Sequence, residues 1–192
     1  MIINDNTLNG LYIFIGKQGS GKTLFAVKLL VDNMHYKEKI FSNINLFNLN
    51  REYTKVTLSD RNIPQLKSIP KVLDMLDEDP NVFNNSILFL DEIHKDLNSL
   101  DFLKKNNRRL HGFFSQLRKR NCLVLATAQY LMHVDNRIRD QAKNVFDMSQ
   151  ISPNIFQITV NEIDGYYQQA INRFQMNLSE YFKYYDTNEI VD

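Results

Sequence analysis

Residues Gly16-Lys-Gln-Gly-Ser-Gly-Lys-Thr23 fit the spacing G-x-x-x-x-G-K-[ST] without a gap. That spacing suits the binding of a phosphate chain. Glycines let the backbone close around the anion, so that successive N–H groups point inward as a nest. A helix opening near Gly21 would add the positive end of its dipole. Lys22 would reach the β- and γ-phosphates, and the Thr23 hydroxyl would ligate Mg²⁺. Gly16, Lys17, Gln18, Gly19, Ser20, Gly21, Lys22 and Thr23 are therefore the candidate residues for binding ATP.

A second constellation is Ser86-Ile-Leu-Phe-Leu-Asp91-Glu92. A carboxylate that ends an apolar parallel strand lies at the sheet edge where α/β folds bind ligands. Asp91 is the second candidate metal residue beside Thr23, and Glu92 the candidate that polarises a water for attack on the γ-phosphate. The paired acids favour hydrolysis over a GTPase-type switch, whose DxxG and NKxD segments do not occur. His94 completes Asp91-Glu-Ile-His94, the box of one helicase class, but those enzymes use two tandem motor domains and the chain has room for one. Leu123-Val-Leu-Ala-Thr-Ala-Gln129 is an apolar run with a polar end. In P-loop proteins with an extra strand between the two motif strands, such an end lies beside the γ-phosphate. Gln129 is thus a candidate to sense that phosphate or the attacking water.

Positioning these residues requires strands that end at them. Leu11–Ile15 is a short apolar run ending at glycine, as expected of a buried parallel strand, and 21–34 has the apolar pattern of a core-facing helix. Ile87–Leu90 and Leu123–Ala126 predict two more buried strands, with weaker ones at 40–43, 55–58, 145–148 and 155–160. Helices are expected over 71–76, over 136–143, and, polar and basic, from about Leu100 to Lys119. Alternating strands and helices imply an α/β fold, a mostly parallel sheet covered on both faces. With the motifs, this is a three-layer P-loop NTPase fold with a RecA-like central sheet, one domain over 1–192.

Composition bounds the rest. The formal net charge of +1 provides no bulk field for nucleic acid, so any such binding needs a local patch or repetition around an oligomer. One cysteine, Cys122, excludes an internal disulfide and a cysteine-based zinc site, and its apolar surroundings predict a buried thiol. The start, 1–7, lacks the pattern of a signal peptide, and no apolar run approaches a membrane span. The expected location is the cytoplasm, or a particle assembled in it. Basic residues gather at Lys104, Lys105, Arg108, Arg109, Arg118, Lys119 and Arg120, with Arg137 and Arg139 further on. One arginine could enter a neighbouring subunit's site as a finger, and others could face DNA phosphate.

Taken together, Gly16–Thr23 with Leu24-Phe-Ala-Val27, Phe41-Ser-Asn-Ile-Asn-Leu46, Leu90–His94, Arg118-Lys-Arg120, Ala126–Gln129 and Tyr181-Phe-Lys-Tyr-Tyr-Asp-Thr187 resemble the Zot-like ATPases, the zonular occludens toxin-type proteins of filamentous phages and related viruses. The wider group is the FtsK–HerA class of DNA-pumping motors. The resemblance implies a homo-oligomeric ring, commonly a hexamer, that threads DNA during virus assembly. It also makes Arg118, eleven positions before Gln129, the leading candidate for a finger acting in trans. Phage members usually continue into a transmembrane segment and an outer domain, and this sequence shows neither. That shifts the expectation toward the genome-packaging ATPases of membrane-containing icosahedral viruses, partnered by a capsid or portal-vertex protein. The alternatives are an assembly factor for extruded virions that works with a membrane-bound protein, and a nucleotide-gated scaffold.

Overall fold

The computed structural model describes residues 8–56, 68–94, 104–164 and 167–186. In chain order the elements are β1 (Gly10–Ile15), α1 (Lys22–Asn33), β2 (Lys39–Ser42), β3 (Thr54–Lys55), α2 (Ser68–Glu78), β4 (Ser86–Leu90), α3 (Lys104–Phe114), β5 (Leu123–Ala128), α4 (Asn136–Arg139), β6 (Ala142–Ser152), β7 (Ile155–Asp164) and β8 (Tyr167–Asn177). The strands form one eight-stranded sheet in the order β3-β2-β4-β5-β1-β6-β7-β8. Pairing is parallel from β3 through β6, and antiparallel for β6–β7 and β7–β8.

The parallel strands are apolar on both faces because both faces are covered. Every residue of β4 and β5 is buried. On one face Leu24, Phe25, Val27 and Leu30 of α1 pack with Tyr12, Phe14, Phe89 and Phe146. Phe14 and Phe146 stack at 5.0 Å between ring centres, and Phe25 meets Phe146 edge-on at 5.4 Å. On the other face Val72 and Leu73 of α2 and Leu110, Phe113 and Phe114 of α3 cover Leu88, Val124 and Ala126. The three-layer α/β expectation holds.

Several boundaries differ from the sequence reading. The basic helix stops at Phe114 rather than Lys119. Its last turn tightens through Gln116 N–H to Phe113 O and Leu117 N–H to Phe114 O. Leu117 then tucks into the core, and Asn121, at φ 50°, reverses the chain into β5. Arg118, Lys119 and Arg120 therefore sit on a turn. The helix expected over 136–143 ends at Arg139, because Ala142 already belongs to the long strand β6. Helix α2 runs longer than 71–76, with Pro70 in its first turn, where no amide hydrogen is needed. The expected strand at 55–58 is described only as Thr54–Lys55, and 57–58, like 1–7 and 100–103, lie outside the described residues. Among the described residues, no helix is long and apolar enough to cross a membrane.

Candidate functional site

The strand order places β5 between β1 and β4, so the ends of all three converge at the carboxyl edge of the sheet. The loop 16–21 leaves β1 there and feeds α1. Gly16 N–H donates to Gln129 O at 3.2 Å, which ties the loop's first residue to the end of β5. At Gly16, φ is 141°, and a Cβ would lie 2.4 Å from Met148 O. At Gly21, φ is 89°, and a Cβ would strike the Phe156 ring at 2.5 Å. Both positions need glycine, for backbone conformation and for space. Helix α1 starts without a side-chain cap, so its first amides remain directed at the loop's interior.

Lys22 is buried, and its Nζ donates to Lys17 O at 3.1 Å across the loop. Burial lowers its pKa, while Glu92 and Asp91 pull the other way. Lys17, Gln18 and Gly19 are exposed, and Ser20 is buried with its N–H on Lys17 O at 3.1 Å.

Asp91 is held from three sides. Its Oδ1 accepts from Thr23 Oγ1 at 2.9 Å and from Thr127 Oγ1 at 2.7 Å. Its backbone N–H donates to Asn43 Oδ1 at 2.7 Å, and Asn43 Nδ2 donates to Asp91 O at 2.8 Å. Asn43 thus extends the β2–β4 ladder with a side chain. Burial raises the Asp91 pKa against the two hydroxyl donors. Thr23 and Asp91 set a hydroxyl and a buried carboxylate side by side as hard oxygen donors, which suits Mg²⁺ completed by water and phosphate.

Glu92 adopts φ 55°, a left-handed conformation unusual for a side chain of this type. Thr127 enforces it: its Oγ1 accepts from Glu92 N–H at 2.8 Å, and its carbonyl accepts from Ile93 N–H at 2.9 Å. The Glu92 carboxylate lies 3.4 Å from His94 Nε2. His94 thus touches the candidate base. Backbone strain of this kind, over-determined by its neighbours, occurs at reactive sites.

Two clefts flank the loop. One, of about 410 Å³, is lined by Lys22, Thr23, Asp91 and Glu92 together with Phe156, Phe182 and Tyr185. The other, of about 810 Å³, is lined by Gln129, Tyr130, Arg139 and Asp147. Gln18, Gly19 and Gln150 border both. The structure therefore brings Lys22, Thr23, Asp91 and Glu92 together, and sets Gln129 on the larger flank with Arg139. Arg118 is exposed on the turn before β5, at the opposite edge of the sheet. Six strand residues separate the two edges, about 20 Å. Arg118 cannot serve its own chain's site across that distance. Arg120 is committed internally, donating to Asn84 Oδ1 at 3.1 Å and Gln116 Oε1 at 3.2 Å. Arg137 pairs with Asp135 at 2.8 Å, and Arg109 pairs with Asp77. The side chains of Lys104, Lys105 and Arg108 lie outside the described residues.

The sequence matches the zonular occludens toxin (Zot) family over residues 10–186. The chain belongs to that family. The crystal structure of the N-terminal domain of zonular occludens toxin from Neisseria meningitidis shares the fold at a TM-score of 0.63, with 16% identity over 92% of this chain and 98% of that one. The genome packaging NTPase B204 from Sulfolobus turreted icosahedral virus 2 in complex with AMP shares it at 0.51, with 11% identity over 76% of this chain and 77% of that one. The same NTPase in complex with ATP-gammaS also gives 0.51, with 13% identity over 75% and 77%. No curated protein matches the sequence.

Three residues of this Zot-family site escaped the sequence reading. Asn43, just past β2 between Ser42 and Ile44, and Thr127, between two alanines of β5, lie inside segments that carry the family resemblance, which marks the stretch but not the role of the side chain. Tyr185 lines the smaller cleft, and burial, with the Asp91 charge adding, pushes its phenol up to about 12. Its approach depends on a long-range bridge to Leu46, which no local pattern encodes.

Proposed function

We propose that this Zot-family chain is an ATP-hydrolysing, DNA-translocating motor of a virus or mobile element, with genome packaging into a capsid as its task. The observation that carries the enzymatic part is the arrangement of one hydroxyl–carboxylate pair, Thr23 and Asp91, beside a strained Glu92, all opening on the cleft of the phosphate loop. The loop amides and Lys22 would bind the β- and γ-phosphates. Mg²⁺ between Thr23 and Asp91 would neutralise charge on the β/γ oxygens. Glu92 would orient and deprotonate the attacking water, with His94 holding its carboxylate. Gln129, on the β5 end tied to Gly16, would report phosphate occupancy to the larger cleft. Homo-oligomerisation into a ring, hexameric in the family's wider class, would bring a neighbour's Arg118 to that site. The fold of B204, named for genome packaging, supports the task.

Zot membership favours a second reading, an assembly or extrusion factor for virions that works with a membrane-bound protein. The Zot N-terminal domain is covered almost end to end by this chain. Steady-state phosphate release, measured with and without double- and single-stranded DNA, tests the motor. Glu92→Gln is expected to lower turnover by about 10²–10⁴-fold while keeping nucleotide binding, as expected for loss of a general base. Stimulation by DNA supports translocation. Turnover that ignores DNA in the assembled oligomer favours the extrusion factor or a nucleotide-gated scaffold.

A further inference from the structure

The smaller cleft has a wall that phosphate chemistry does not explain. Residues 178–186 leave β8, run along α1 and reach the loop after β2. Leu178 N–H donates to Asn154 O at 3.0 Å, which pins one end. Tyr181 lies under Lys28 Nζ at 5.9 Å and points its hydroxyl at Asp32 Oδ1, 3.5 Å away. Phe47 N–H donates to Tyr184 O at 2.8 Å, Asn48 Nδ2 to Lys183 O at 2.6 Å, and Leu46 bridges Tyr185. The segment is anchored on both sides of α1, so any ring it presents between those anchors is held in place.

Lys22 and Thr23 line the smaller cleft and not the larger one, so a nucleoside triphosphate whose phosphates meet them would lay its base along the rest of the smaller cleft's lining. Three aromatic rings are there: Phe156, Phe182 and Tyr185. Phe156 is 2% exposed and wedged on the Gly21 backbone, so it has no free face. Tyr185 is largely packed inward and feels the Asp91 charge, at the end of the cleft where Thr23 and Asp91 meet. Phe182 is 37% exposed and, among the described residues, belongs to no ring pair and no buried cluster. Its neighbours Tyr181, Tyr184 and Tyr185 all pack inward. A fixed, half-exposed ring inside a polar cleft is a stacking surface for a flat π-system.

We infer that residues 178–186 form the nucleoside-reading wall of this site and that the Phe182 ring stacks on the purine base. The inference rests on the ATPase reading and extends it from the phosphates to the base. Tripolyphosphate, which has the phosphates and no base, separates the two. Calorimetric titration with Mg²⁺ would compare ATP and tripolyphosphate on the full chain, on Phe182→Ala and on Phe182→Trp. Phe182→Ala is expected to weaken ATP binding roughly tenfold, the size of a lost base–aromatic stack, and to leave tripolyphosphate unchanged. Phe182→Trp should restore ATP affinity, with an indole fluorescence that ATP quenches and tripolyphosphate does not. Equal losses on both ligands, or ATP affinity unchanged in Phe182→Ala, would overturn the inference. Wild-type protein that binds neither ligand would overturn the ATPase reading along with it. The exposure of Phe182 makes its truncation tolerable for folding, and a melting curve on each variant checks that.

Discussion

The two edges of the parallel sheet use polar residues in opposite ways. At the amino edge, long basic side chains close on themselves. Arg120 bonds Asn84 and Gln116 and lies over the Phe113 ring at 5.8 Å, and Lys37 donates to Asn121 O and Oδ1 at 2.9 and 2.7 Å. Cys122 is buried there against Ser86. These groups staple the turn before β5 to the turn before β4. At the carboxyl edge, two carboxylates, Asp91 and Glu92, are gathered with the single buried cation Lys22, in a backbone that is strained at Glu92 and depends on glycine at Gly16 and Gly21. Satisfied polar groups stabilise, whereas charges held close without full neutralisation are available to a ligand. The contrast marks the carboxyl edge as the candidate site without reference to the motif.

Arg118 is the exception at the amino edge, exposed between the buried Leu117 and the exposed Lys119. Comparing it with Arg120 gives the largest expected effect. Arg118→Ala should leave the melting temperature unchanged yet lower turnover of the oligomer by about 10³-fold or more, the scale of a lost arginine finger. Mixing it with Lys22→Ala protein should restore part of the activity, because each supplies what the other lacks. Absence of rescue in proven mixed oligomers would remove the finger, and Arg139, on the loop's own flank, would be tested next. Arg120→Ala should do the reverse, costing about 1–3 kcal/mol in denaturant unfolding with turnover per folded molecule unchanged.

A smaller effect is expected where stability and chemistry share one side chain. Thr127→Val keeps the shape of the residue but removes the donor to Asp91 and the acceptor for Glu92 N–H. Two buried partners lose a hydrogen bond, at about 1–3 kcal/mol, and the Glu92 backbone is freed from its strained conformation. Turnover should fall roughly ten- to hundredfold by misplacement of the base. Thr127→Ser preserves both bonds and should behave as wild type in both assays. A Thr127→Val enzyme with full turnover would show that Glu92 holds its geometry without this residue.

What was legible in the sequence is what short-range pattern encodes. The phosphate loop, its strand and its helix are contiguous, so spacing alone located them, and the apolar runs of β1, β4 and β5 announced burial on both faces. Their lateral order supplied the rest: only the insertion of β5 between β1 and β4 puts Thr127 against Asp91. The same holds for Asn43, whose partner is 48 residues away. Strand β8 was missed because its residues 168–177 alternate polar side chains with few apolar ones, and only Phe174 and Met176 pack against the core. The sequence predicts helix as far as Lys119 because Gln116, Leu117, Arg118 and Lys119 are all helix-compatible residues, although the backbone has already tightened into a turn.

The smallest effect probes the quiet edge directly. Burial pushes the Cys122 thiol up to about 11, so it stays protonated in the folded protein at pH 8. Alkylation at that pH should proceed only as fast as the chain opens, and at the full rate in denaturant. The sign of the linked stability follows from the direction of the shift. An acid whose folded pKa is raised binds its proton more tightly when folded, so its contribution is constant below the unfolded value of about 8.5 and is lost as pH rises toward 11. Lys37, whose amine burial lowers in pKa, acts oppositely, gaining stability as pH rises toward its unfolded value of about 10.4. The comparison therefore has to be a difference: between about pH 8.5 and 11, wild type should lose more unfolding free energy than Cys122→Ala. A thiol that labels quickly in the native state would mean that the staple opens readily.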